Sequence, residues 1–246
     1  MTTTSLRCGR RTLALHRIGD GRSAGLPLLR LHGLGGRAVA GGPVGVEDWP
    51  GAVWGLDFTG HGESSRPVGG GYCPEVLMAD ADAALAHLGP VVVAGWGVGA
   101  YVGLLLGGAR PELVAGLVLA DGAGLAGSVG AASEVVIVEH PPPPVDAPPG
   151  SEIDPTTDPY AWAELQADHR PAEHAVSYLR RAVAHRGPDA GPFAVVALAP
   201  ETGAAWVDAV EAEPGVVGRS GLGVAPDAPG PERVAAALRL LAGRPG

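Results

Sequence analysis

The feature that most constrains this sequence is a repeated alternation of short apolar runs with helix-like segments. Residues with helical spacing lie at 74–89 and 99–113, between apolar runs that end in small or polar residues. The apolar runs are "LPLLRLHGLGG" (26–36), "AVWGLDFTGHG" (52–62), "PVVVAGWGVG" (90–99), "VAGLVLADGAG" (114–124) and "GPFAVVALAPETG" (191–203). Each run is typical of a buried strand that leads into a loop. The alternation predicts βαβ units and an α/β fold, with a mostly parallel central sheet flanked by helices.

The alternation is interrupted after Gly122. Residues 141–159 read "PPPPVDAPPGSEIDPTTDP", where proline removes backbone donors and fixes φ, so we expect an extended loop. Helical patterns follow at 160–187, with a break at Pro171, and again at 204–215 and 231–243. We therefore expect one domain, with a core formed by residues 1–122 and 191–246 and a short lid insertion at 123–190. Such an insertion would lie over the carboxyl edge of the sheet, where open α/β sheets bind ligands.

Charge and cysteine content restrict the classes of partner. The formal net charge is −9, and all 17 basic residues are arginines, so the chain offers no basic face for nucleic acid. The two cysteines, Cys8 and Cys73, lack the spacing of a disulfide framework or a metal site. No apolar run is long enough for a signal peptide or a membrane span. We expect a cytoplasmic protein without a metal or cofactor.

Four short motifs follow one another along the chain. They are His32-Gly33, "DFTGHGESSRP" at 57–67, "GWGVG" at 95–99 and "LVLADG" at 117–122. In this order and at this spacing they span much of the chain, and together they resemble the α/β-hydrolase family. The resemblance implies the fold of that family, whose members hydrolyse esters or related acyl and C–C bonds with a Ser-His-acid triad.

The resemblance also implies that the triad is degenerate. The family turn is G-x-S-x-G, and here Gly97 stands where the serine nucleophile is expected. Aligning residues 192–202 with the family's acid-bearing loop puts Glu201 at or next to the acid position. The family histidine follows a G-x-G sequence shortly before the last helix, and Val224 stands there after Gly221-Leu222-Gly223. Two losses in one triad indicate a chain that no longer relies on it.

The part of the family site that binds the substrate oxygen consists of backbone groups, which a side-chain substitution does not remove. By resemblance, the N–H groups of Leu34 and Val98 form the oxyanion hole and would hold a carbonyl or carboxylate oxygen. We expect a small apolar or carbonyl-containing ligand in the remnant pocket. Four residues are candidates to line that pocket: His32, Gly33, Trp96 and His140.

Three other interpretations remain open at this stage. The glycines of "GWGVG" also suit a phosphate-binding dinucleotide loop, with Asp121 22 residues after Gly99, although the turn comes late in the strand order. A non-hydrolytic enzyme of the lyase or cyclase type, or a weak hydrolase, would use the oxyanion hole together with His140 and Glu139 or Glu201. A protein-interaction scaffold would use the Pro-rich segment 141–149 as an extended docking site.

Overall fold

The computed structural model describes residues 1–22, 24–39, 45–124, 153–166, 168, 170–187, 190–200 and 204–242. Within these ranges, eight strands form one sheet and six α-helices cover it. The strands are β1 (Thr2–Cys8), β2 (Arg11–Gly19), β3 (Leu28–Leu31), β4 (Val53–Leu56), β5 (Val91–Trp96), β6 (Val114–Ala120), β7 (Ala194–Ala197) and β8 (Val216–Val217). The helices are α1 (Pro74–Leu88), α2 (Val98–Ala109), α3 (Pro159–Gln166), α4 (Ala172–Arg186), α5 (Ala205–Glu211) and α6 (Gly230–Ala242).

The strand order in the sheet is β1-β2-β4-β3-β5-β6-β7-β8. Strand β2 pairs antiparallel with both β1 and β4, and every pairing from β4 onward to β8 is parallel. The crossover in which β3 lies between β4 and β5 brings the carboxyl ends of β3, β5 and β6 side by side. This mostly parallel sheet, with helices on both faces, is the α/β-hydrolase fold and confirms the predicted fold class.

The two faces of the sheet carry separate hydrophobic clusters, because successive residues of a strand point to opposite faces. Leu117 of β6 packs with α1, α2, α4 and α5 in the larger cluster. Its neighbour Val118 packs on the other face with Trp49 and with Val234 and Leu238 of α6. Helix α6 is therefore the main described helix on its face of the sheet.

The described part of the 123–190 insertion packs against the rest of the domain. Ala161 and Leu165 of α3 and Leu179 of α4 are buried in the larger cluster, and the Tyr101 hydroxyl of α2 lies 2.7 Å from Nδ1 of His174 in α4. The break at Pro171 separates α3 from α4, as the sequence predicts. The role of the insertion as a lid stays a prediction, since residues 125–152 lie outside the described ranges.

Candidate functional site

The turn from β5 to α2 has a sharp backbone conformation at its centre. Gly97 has φ +53° and ψ −120°, a combination that L side chains rarely adopt. Its two flanking glycines are required by close packing. A Cβ on Gly95 would overlap the Gly99 carbonyl group, and one on Gly99 would overlap the backbone of Leu31. The sequence "GWGVG" therefore keeps the strained corner on which a nucleophile would be presented, but it holds no side chain there.

The two predicted oxyanion donors lie together, and both are engaged by the chain itself. The N–H groups of Leu34 and Val98 each donate to the carbonyl oxygen of Ala123, with N···O distances of 3.0 Å. The N–H of Gly97 donates to the Ala120 carbonyl at 3.1 Å, which holds the start of the same segment against the turn. A backbone carbonyl from residues 121–124 thus occupies the position that the resemblance assigns to a ligand oxygen.

The same segment fills the space beside Gly97. A Cβ built on Gly97 would overlap the Ala123 carbonyl oxygen and would lie 2.5 Å from the carbonyl carbon of Gly122 and 2.7 Å from its oxygen. Real Cβ atoms essentially never approach this closely, and the obstacle is backbone rather than a movable side chain. A serine at position 97 would require residues 122 and 123 to move.

The two histidines nearest the turn are committed to backbone hydrogen bonds. His32 donates from Nδ1 to the Gly33 carbonyl at 2.7 Å, and its Nε2 accepts the N–H of Phe58 at 3.1 Å. His61 donates from Nδ1 to the Thr59 carbonyl at 3.2 Å, and its Nε2 accepts the N–H of Gly35 at 3.3 Å. Burial lowers the pKa of His32, and burial together with the adjacent His32 lowers the pKa of His61 to about 3. Both rings are neutral at pH 7, with no lone pair free for general-base work.

A cavity of about 480 Å³ opens beside this turn, on the face of the sheet that α6 covers. It is lined by three of the four predicted pocket residues, which are His32, Gly33 and Trp96. The first residues of α6 close it on the other side. Its volume falls in the range of small-molecule sites, roughly 300–1,000 Å³. Leu34 and Val98, the two predicted oxyanion donors, are not among its lining residues, and their side chains pack in the cluster on the opposite face.

The cavity is also lined by charged residues that were not among the four predicted pocket residues. Arg30 of β3 and Arg37 of the following loop both line it, as does Asp121 at the end of β6. Arg30 has a detectable signal in the sequence, because an arginine interrupts the run Leu28-Leu29-Arg30-Leu31 of a central parallel strand, where apolar residues are the rule. The position of Arg37 carries no such signal.

Val224 is the remaining predicted site residue that the structure describes. Val224 packs against the α6-side cluster and lines a second cavity of about 250 Å³, which has no lining residue in common with the first. Arg233 lines the second cavity, while its guanidinium pairs at 2.5 Å with Asp121 of the first. Glu201, Glu139, His140 and the 141–149 segment lie outside the described residues.

The described helices and side chains add two further findings. None of the helices in the described ranges has the length and apolar character needed to cross a bilayer. Within the same ranges, no three His, Cys, Asp or Glu side chains cluster as a metal site would require.

Comparison with known proteins identifies the fold rather than a function. No family model matches the chain, and no curated protein matches it. A hypothetical protein from Pseudomonas aeruginosa is 18% identical over 99% of this chain and 100% of its own, with a TM-score of 0.65. A bacterial membrane phospholipase A is 16% identical over 88% of this chain and 77% of its own, with a TM-score of 0.53.

Other similar structures match only part of their length. The chain covers 46% of a thioesterase domain from the curacin biosynthetic pathway, 45% of an esterase from Thermogutta terrifontis and 44% of a proline iminopeptidase from Mycobacterium smegmatis. It thus spans less than half the length of these three structures.

Proposed function

We propose that this protein is a catalytically degenerate α/β-hydrolase-fold protein that binds a small molecule and does not hydrolyse it. Gly97 stands at the nucleophile position and Val224 at the histidine position. The observation that carries the proposal is the Ala123 carbonyl oxygen, which accepts hydrogen bonds from both Leu34 and Val98 at 3.0 Å.

Acyl transfer by the family mechanism needs a nucleophile, a base and free donors for the developing oxyanion. Gly97 supplies no nucleophile, and the two nearest histidines have both ring nitrogens in hydrogen bonds with backbone groups. Enzymes stripped of a triad retain about 10³ to 10⁴-fold acceleration, which comes from the oxyanion hole and substrate binding. Here the donors of that hole are engaged by Ala123, so even this residual acceleration is not expected.

Ligand binding is supported by the cavity of about 480 Å³ lined by His32, Gly33 and Trp96. A small apolar or carbonyl-containing molecule fits its size and its mostly apolar walls. Two of the other interpretations, a lyase-type enzyme that uses His140 and a scaffold that uses the 141–149 segment, depend on residues outside the described ranges. No described contact favours either of them.

The test combines native mass spectrometry with two variants of α6. We expect the purified protein to carry a mass excess of a few hundred daltons that disappears on denaturation. Val234 lines the cavity, whereas Leu240 on the same helix is 40% exposed. Val234→Phe should therefore remove the excess, and Leu240→Phe should keep it, with circular dichroism confirming that both variants fold.

Two results would contradict the proposal. An excess retained in both variants would mean that the molecule binds elsewhere. No excess in the wild-type protein, together with turnover of short p-nitrophenyl esters above the rate of a heat-denatured sample, would make the chain a hydrolase.

A further inference from the structure

Arg30 places a permanent positive charge in the floor of the cavity. It belongs to β3, where Leu28, Leu29 and Leu31 are fully buried, and its own side chain lines the cavity. Burial lowers the pKa of Arg30, and the negative charge of Glu47 opposes that effect. An arginine side chain is not deprotonated in proteins, so the guanidinium keeps its charge.

The guanidinium of Arg30 lies beside Trp96. The central carbon of the guanidinium lies 5.0 Å from the centroid of the indole ring, in a cation–π contact, and both residues line the cavity. Arginine commonly makes such contacts through the face of its planar group, with its N–H donors along the edge. An arginine held in this way suits a planar acceptor that takes two parallel hydrogen bonds, and a carboxylate has that shape.

The other charged groups of the cavity leave this preference in place. Arg37 also lines the cavity and pairs through Nε with Asp154 at 2.9 Å. Asp121, the acidic residue of the lining, pairs with Arg233 at 2.5 Å and accepts the N–H of Ala199 at 2.8 Å. Asp121 is thus paired with an arginine that does not line the cavity, whereas Arg30 and Arg37 both line it.

We infer that the ligand of this cavity is a small organic carboxylate, whose charged group pairs with Arg30 and whose apolar part lies against Trp96, Pro231 and Val234. The inference rests on the proposed binding function and specifies the chemical class of the ligand. It places the acidic group at the Arg30 side of the cavity, away from the Ala123 carbonyl that occupies the oxyanion hole.

The test compares carboxylates with their neutral amides. Benzoate and hexanoate are titrated against the protein by calorimetry, with benzamide and hexanamide as matched probes. We expect each carboxylate to bind at least tenfold more tightly than its amide. Arg30→Gln should weaken carboxylate binding at least tenfold without changing amide binding. Arg30→Lys should retain part of the affinity, because lysine keeps the positive charge but lacks the paired N–H donors of a guanidinium. Arg10→Gln, in the exposed β1–β2 turn, is the control and should change nothing.

The outcomes separate this inference from the function on which it rests. Equal affinity for acid and amide, both lost in Val234→Phe, would overturn the carboxylate inference and keep the binding function. If no probe binds but the native mass excess is still removed by Val234→Phe, the carboxylate inference again falls alone. If no probe binds and no mass excess exists, both fall. A folded Arg30→Gln variant that binds carboxylates as tightly as the wild type would also overturn the inference.

Discussion

At the scale of single residues, position 97 carries no side chain, and the backbone around it leaves no space for one. The sequence predicts the missing side chain, because the G-x-G-x-G spacing is local and can be read directly. The second depends on the direction of the Ala123 carbonyl, which no residue type encodes. The family resemblance predicts that Leu34 and Val98 are backbone donors. It does not predict their acceptor, because a backbone carbonyl is present at every residue.

Gly97→Ser should destabilise the protein without creating a nucleophile. Its Cβ would overlap the backbone of residues 122–123 at a positive φ, so we expect a cost of about 2–4 kcal/mol from strain and overpacking together. Gly9→Ala is the matched control, because Gly9 has φ +60° but nothing within 4 Å of an added Cβ. It should cost only about 1–2 kcal/mol. Urea denaturation measures both, and equal costs would mean that the 121–124 segment moves aside easily.

At the scale of helices and strands, periodicity predicts the interior of the sheet well and its edges poorly. Strands β3 to β7 fall within the predicted segments, and the helices from α1 to α6 match them to within one residue at their starts, because each carries an apolar run or stripe. The pattern does not predict the β1–β2 hairpin, since the exposed edge strand Thr2–Cys8 is rich in polar residues. Strand β8 has only two residues, Val216 and Val217, which is too short to show a hydrophobic periodicity.

Gly108 in helix α2 allows the cost of a steric collision to be compared with the gain in helix propensity from alanine. A Cβ on Gly108 would lie 2.6 Å from both the Cα and the carbonyl oxygen of Tyr178 in α4. Replacing glycine by alanine within a helix normally stabilises it by about 1 kcal/mol. Here the collision with the backbone should outweigh that gain, so Gly108→Ala should lower the free energy of unfolding by about 1–2 kcal/mol. A higher melting temperature for this variant would show that α4 shifts away from α2 at little cost.

At the scale of the whole molecule, the fold should lose stability in mild acid because it buries neutral histidines. The folded pKa values of His32 and His61 lie below the unfolded value of 6.5, so the unfolded chain takes up more protons as the pH falls. The contribution of each histidine to stability is complete above about pH 6.5 and decreases as the pH falls below it. For His61, with a folded pKa of about 3, the decrease is about 1.4 kcal/mol per pH unit. His61 alone should account for about 2 kcal/mol between pH 6.5 and pH 5.

The His61→Gln variant isolates this effect. A glutamine amide keeps both a donor for the Thr59 carbonyl and an acceptor for the Gly35 N–H, but it does not titrate. Urea denaturation at several pH values should give a shallower dependence for the variant than for the wild type, by about one proton between pH 6 and pH 4. Parallel curves for the two proteins would mean that His61 is not buried in its neutral form.

The candidate cavity is also a property of the whole molecule. Its lining joins Arg30 near the start of the chain with Ala197 of β7 and Val234 of α6, residues that are distant in sequence. The family resemblance predicts His32, Gly33 and Trp96 because they belong to motifs. It does not predict that α6 leaves a space over Arg30, because that depends on the packing of side chains across the sheet.

The Ala123 carbonyl also determines the order in which substitutions could give this chain a hydrolytic site. A serine introduced first at position 97 would meet backbone atoms, lower stability and add no activity. A histidine introduced first at position 224 would have no nucleophile to activate. The 121–124 segment would have to be rebuilt before either change, and that step exposes two donors without any immediate gain. The two hydrogen bonds to Ala123 therefore add a third required change, a rebuilt 121–124 segment, to the substitutions at positions 97 and 224.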